Sequence, residues 1–167
     1  MLFPTHLLVA GLIGRSSRLS TPWLVVGAAL PDLVDKPLAM AGVVELYHSV
    51  GHSVLLVGVA VPVALYSRAG LAVTIGWGSH LFLDAFHVVV NGRGADVLSL
   101  AWPVAAPPDP LAIPPGSFVC YYLGSLSFWL EVGLWLLAGL IALARLRPAI
   151  GTEPPGNGGT EPPGNGL

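Results

Sequence analysis

His80 and Asp84 lie four residues apart in the stretch GWGSHLFLDAF (76–86), and His48 and His52 repeat that interval in YHSVGHS (47–53). On a helix this spacing stacks two side chains on one face, about 5–6 Å between Cβ atoms, so each pair reads as a bidentate ligand set. His6, Asp32, Asp35 and His87 also lie within or at the edge of apolar segments. Near the centre of a membrane helix such a group costs roughly 2.5–3.5 kcal/mol, so a functional role is the first hypothesis. Imidazole with carboxylate, and no thiolate, suits zinc or another first-row divalent metal such as manganese. It favours an open hydrolytic site over a closed structural one. A lone histidine on an apolar face is ordinarily a hydrogen-bonded packing residue, but paired His and Asp spacing in several segments outweighs that reading.

The elements that must position these groups follow from composition. The chain has 167 residues, 54% hydrophobic and 10% charged, where a soluble domain runs near a quarter charged. That balance predicts an integral membrane protein, a single compact domain over 1–148. A net charge of -2 offers nothing to nucleic acid. The single Cys120 excludes an intramolecular disulfide and a thiolate metal site. No basic residue precedes the first apolar run, so that run is expected to be a retained helix rather than a secretory signal. At the other end GTEPPGNG occurs at 151–158 and again at 159–166, and residues 149–167 are expected to form a disordered tail.

Apolar segments run over 2–14, 22–34, 49–66, 70–90 and 117–144. The expected fold is therefore all-α, an integral membrane helical bundle of about five apolar helices, with three long spans and two short N-terminal helices. A span needs about 20 residues and tolerates about 17. Ser20, Thr21 and Pro22 mark a helix start, and Pro31 with Pro37 is expected to end that helix. The proline-rich stretch 91–116 reads as a surface loop. Arg15, Arg18, Arg68, Arg145 and Arg147 fall on one side of this topology, with Lys36 and Arg93 on the other. The first side is then cytoplasmic. His6, Asp32, His48, His52, His80, Asp84 and His87 all reach the outer layer, which places the site on the non-cytoplasmic face of the plasma membrane. His87 could equally cap a helix. Ser53, Ser79, Gly76 and Gly78 are expected to serve close helix packing, the tryptophans to be interfacial anchors, and Glu131 to pair across the bundle or face a cavity.

THLLVAG (5–11), LPDLVD (30–35), YHSVGHS, GWGSHLFLDAF and the dipeptide Trp102-Pro103, in this order, resemble the predicted membrane-bound metal-dependent hydrolases, also called domain of unknown function 457. The resemblance covers about residues 4–103. The ligand order is also similar to that of zinc-dependent phospholipase C and its nuclease relatives. It implies that Asp32, His52, His80 and Asp84 hold one metal and that His6 shares Asp84 in holding a second. The sequence departs from the family at two points. Tyr47 stands where the family has its first histidine and no arginine follows, which leaves Arg93 as a substitute phosphate contact. Asp35 lies one residue farther from Asp32 than the family spacing. His48 or Asp35 is then the candidate general base. Membrane lipids surround such a site, and a lipid or lipid-linked phosphoester is the expected substrate. A non-catalytic, metal-stabilised scaffold that binds a partner protein is the rival. A metal transporter would need ligands at the midplane and a path to both sides.

Overall fold

A computed structural model describes residues 1–111 and 113–150, so the tandem repeat lies outside the described residues. The described chain is helical throughout, without strands: α1 (Phe3–Ser16), α2 (Thr21–Met40), α3 (Val54–Tyr66), α4 (Arg68–Val90), a 3-10 helix (Gly94–Ala101), α5 (Pro115–Tyr122) and α6 (Leu126–Ile150). Residues 1–133 form one compact unit, and the chain from Leu134 onward forms a second.

The second helix begins as the sequence predicts, and both α1 and α2 have proline in the first turn, where its missing N–H costs no bond. The second helix does not stop at Val34. It passes through Pro31 and Pro37 and ends at Met40. A proline inside a helix strands the carbonyl four residues back. Such breaks persist where neighbouring groups satisfy the freed backbone. Beside the break at Pro31, the carbonyl of Ala28 accepts the Nδ1–H of His80 at 2.7 Å.

The third helix differs from expectation as well. It starts at Val54, so His48 and His52 lie in the preceding loop and not on one helical face. Asp35 is the reason. Its carboxylate accepts the backbone N–H groups of Ser49 (2.7 Å), Gly51 (2.7 Å) and His52 (3.2 Å), and so folds residues 49–52 around itself instead of leaving them to a helical ladder. The Trp77 indole N–H donates to Gly51 O at 2.6 Å, so this tryptophan anchors the loop rather than an interface. Gly51 is required there, because a Cβ would lie 2.6 Å from Pro31 O.

The last apolar segment is likewise divided. Gly124, at φ +84°, turns the chain between α5 and α6. Among the described residues, two helices are long and apolar enough to cross a membrane, Arg68–Val90 and Leu126–Arg145. At 13 residues α3 falls short.

The α2–α4 contact is the most extensive in the fold, and α1 packs on α2. Ala10, Leu24, Ala28 and Ala72 form its buried apolar core. The helices touch backbone to backbone: a Cβ on Gly27 would lie 2.0 Å from Val73 O, and one on Gly76 would lie 2.1 Å from Leu24 O. Small residues permit that approach. Gly78 has open space around it and plays no such part.

Candidate metal centre

The α2–α4 contact carries Asp32 and His80–Asp84 into one buried layer. The loop held by Asp35 delivers His52 to the same layer, and α1 delivers His6. His6, His52 and His80 are essentially inaccessible to solvent, and Asp32 and Asp84 are buried.

Three ligand atoms form a nearly equilateral triangle. His52 Nε2 is 3.2 Å from His80 Nε2, and Asp84 Oδ2 is 3.3 Å from the first and 3.1 Å from the second. Asp32 Oδ1 stands 3.7 Å from His52 Nε2 and 3.9 Å from His80 Nε2. A tetrahedral zinc with bonds of about 2.0–2.1 Å spaces its ligand atoms by about 3.3–3.4 Å. The triangle has this spacing, and Asp32, His52 and His80 form a grouping that could hold a metal ion.

The ring orientations are fixed from behind. His52 Nδ1 lies 2.7 Å from Asp35 Oδ2, and His80 Nδ1 lies 2.7 Å from Ala28 O. Both partners only accept, so each Nδ1 carries the proton and each Nε2 turns inward. A carboxylate or carbonyl behind a histidine is the arrangement that orients metal-binding imidazoles. Two Nε2 atoms and two carboxylate oxygens then face one another, a donor set that suits a cation. In the metal-free protein a proton can serve. Burial disfavours charge on His52, but the Asp35 hydrogen bond and Asp84 outweigh it and push its pKa up to about 9.

Asp84 faces both ways. Its Oδ1 lies 3.3 Å from His6 Nε2, on the opposite oxygen from the triangle, and the His6 ring stacks on His80 at 3.7 Å between centroids. His6 Nδ1 is buried with no hydrogen-bond partner. His6, His80 and Asp84 form a second grouping able to hold a metal, and His48, His52 and Asp84 a third. His48 is half exposed, its Nε2 3.9 Å from Asp84 Oδ2, and its ring meets His52 edge-on at 4.4 Å.

Other expected residues are placed differently. Asp35 is fully buried, with both oxygens taken up by the loop and by His52, so it positions a ligand and is unsuited to act as a general base. Arg93 is bound to Asp96 at 2.7 Å and to Asp109 O at 2.7 Å, a tie within the 93–109 segment, although it also lines the cavity beside the cluster. His87 stays outside the cluster. Its Nδ1 is 3.0 Å from Ser127 Oγ, and Asn91 Nδ2 donates to the same Oγ at 2.5 Å. Glu131 pairs across the bundle, accepting hydrogen bonds from Thr5 Oγ1 and Tyr122 OH. Ser53 Oγ donates to Trp102 O at 2.6 Å, and Ser79 Oγ to Gly76 O within its own helix.

Lys36 is the functional candidate that sequence reasoning passed over as a topological charge. Its ammonium pairs with Asp32 Oδ2 at 2.5 Å, on the oxygen opposite the one facing the histidines. The signal available was the i,i+4 interval between Asp32 and Lys36 on one helix.

A cavity of about 450 Å³ opens beside the cluster. His6, Asp32, Lys36, His48 and Asp84 contribute to its wall, and the 3-10 helix and residues 107–121 supply much of the rest. Comparison with known protein families, with curated proteins and with solved structures finds no match.

Proposed function

We propose that the protein is a membrane-bound, metal-dependent hydrolase acting on a lipid or lipid-linked phosphoester. The observation that carries the reading is the approach of His52 Nε2, His80 Nε2, Asp32 Oδ1 and Asp84 Oδ2 to one another, with both imidazoles oriented from behind, while Asp32 and Asp84 also line a cavity large enough for a small molecule. A closed structural site would have no need of the chamber. The resemblance to the membrane-bound metal-dependent hydrolases supports the same conclusion from the motif order.

Asp32, His52, His80 and Asp84 would hold the first ion, and His6 with the second oxygen of Asp84 would help hold another. Zinc, or manganese in its place, would supply Lewis acidity there and lower the pKa of a water. The chain's residues do the rest. Asp35 and Ala28 O keep His52 and His80 in the ligating tautomer. His48, half exposed and outside hydrogen-bond distance of Asp84, would accept the proton of the attacking water, with burial and the neighbouring His52 lowering its basicity. Lys36, Asp32 and Asp84 line the chamber, where the anionic phosphoester would sit.

In the membrane we place the apolar helices with Arg15, Arg18, Arg68 and Arg145 on the cytoplasmic side. The metal cluster then lies at the outer, non-cytoplasmic interface of the plasma membrane, at the depth of lipid head groups.

The test is metal analysis of the purified full chain together with hydrolysis of a panel of phosphodiesters and lipid phosphoesters, for the wild type and for His80→Ala. We expect stoichiometric zinc or manganese and turnover in the wild type, and loss of both in the variant. A folded wild type without stoichiometric metal refutes the metal centre. Stoichiometric metal without turnover on any ester leaves a metal-stabilised scaffold.

A further inference from the structure

The chamber beside the cluster joins two chemistries. On one side it is lined by His6, Asp32, His48, Asp84 and Lys36, whose side chain is 31% exposed, and Arg93 and Asp96, which also line it, are tied to each other. An ammonium has three N–H donors, and Asp32 engages Lys36 through a single oxygen, which leaves donors for an anion. Its apolar part comes from Leu46, Val97, Leu100, Ile113, Phe118 and Val119. A wholly polar ligand would leave that apolar wall uncovered, and a neutral hydrocarbon would strand Lys36.

Size narrows the ligand further. The volume of about 450 Å³ lies within the usual range for small-molecule sites, about 300–1,000 Å³. That space takes a phosphate head and a chain of about ten carbons.

We propose that this chamber binds a single-chain amphiphile, an alkyl or isoprenyl phosphoester, with its anionic head at Lys36 and its chain along Val97, Leu100 and Phe118. The inference deepens the hydrolase reading by naming the substrate class, and it rests on that reading only for the fate of the bound molecule. Lys36 is a head-group contact, and Leu100 and Val97 set chain selectivity.

The experiment uses the full chain with its metal, in nanodiscs of phosphatidylcholine, and non-hydrolysable probes read by calorimetry: decyl phosphonate, methyl phosphonate and decyltrimethylammonium. Each buried methylene contributes about a fourfold gain in affinity, so decyl phosphonate should bind at least about tenfold tighter than methyl phosphonate. Lys36→Met should weaken both phosphonates. Leu100→Trp fills the apolar part and should weaken the decyl probe alone, by about tenfold or more. Val97→Trp repeats this test should the first variant melt early. Equal binding of the two phosphonates, or of decyl phosphonate and decyltrimethylammonium, overturns the proposal. So does binding of the decyl probe that neither tryptophan variant weakens. Loss of decyl selectivity alongside retained metal and hydrolysis of a water-soluble phosphodiester would refute the chamber's role and leave the hydrolase reading standing. Selective decyl binding by a protein without hydrolytic activity would support the chamber and sink that reading.

Discussion

Asp35→Asn separates a positioning role from a catalytic one. Asp35 Oδ2 accepts the N–H of Ser49, the N–H of His52 and Nδ1–H of His52, while Oδ1 accepts the N–H of Gly51. An asparagine keeps its carbonyl on the crowded side and turns its NH2 toward Gly51 N, where two donors then face each other. The substitution removes one charge-assisted bond, weakens three others and leaves the His52 imidazole without its carboxylate. Hydrogen bonds to charged groups contribute about 1.5–3 kcal/mol each, so the metal-free protein should lose roughly 2–4 kcal/mol of stability. Loss of the group behind a ligating histidine typically weakens metal binding about 10- to 100-fold. Chelator-competition titration of zinc on the full chain measures this, with His80→Ala as the variant that loses a ligand outright. If folded Asp35→Asn binds zinc as tightly as the wild type, the bond behind His52 has no bearing on the metal and the orientation argument fails.

Two further outcomes follow from packing and charge. Gly76→Ala puts a Cβ 2.1 Å from Leu24 O and should cost at least about 1–3 kcal/mol. Gly78→Ala meets open space and should stay within about 0.5 kcal/mol of the wild type; thermal melts in one detergent compare them, and equal melting temperatures would contradict the α2–α4 contact. For pH, the raised His52 pKa means that the protonated imidazole stabilises the metal-free fold below its ordinary value of 6.5, and that this contribution is lost as pH rises through about 9. Metal must displace that proton, so apparent affinity should climb by up to about tenfold per pH unit between those limits and level off above. A flat affinity from pH 7 to pH 9 would show that His52 carries no proton to displace.

The helical class, the apolar segments and the identity of the ligand candidates were legible in the sequence, because side-chain type and i,i+4 spacing are local properties. His80 and Asp84 are the clearest case. Both sit on α4, and the predicted shared face is the face they present to the cluster. His48 and His52 have the same spacing but a different cause. They reach the cluster from a loop, because a buried carboxylate 17 residues before His52 competes successfully for the N–H groups that a helix would have used. Nothing local to YHSVGHS signals that competition.

The prolines mark the same boundary between local and tertiary information. Read locally, Pro31 and Pro37 end α2, whereas in the fold α2 continues through both, and Ala28 O, in the turn before Pro31, orients His80. Composition and spacing by themselves determined an apolar helical protein with a metal-suited set of imidazoles and carboxylates. Which nitrogen of each imidazole faces inward, which oxygen of Asp84 serves His6 and which serves His52 and His80, and that Asp35 supports where it was expected to react, were decided by the tertiary structure. These are choices between two atoms of one side chain, made by a hydrogen-bond partner on another element, and the sequence of either element alone does not contain the partner.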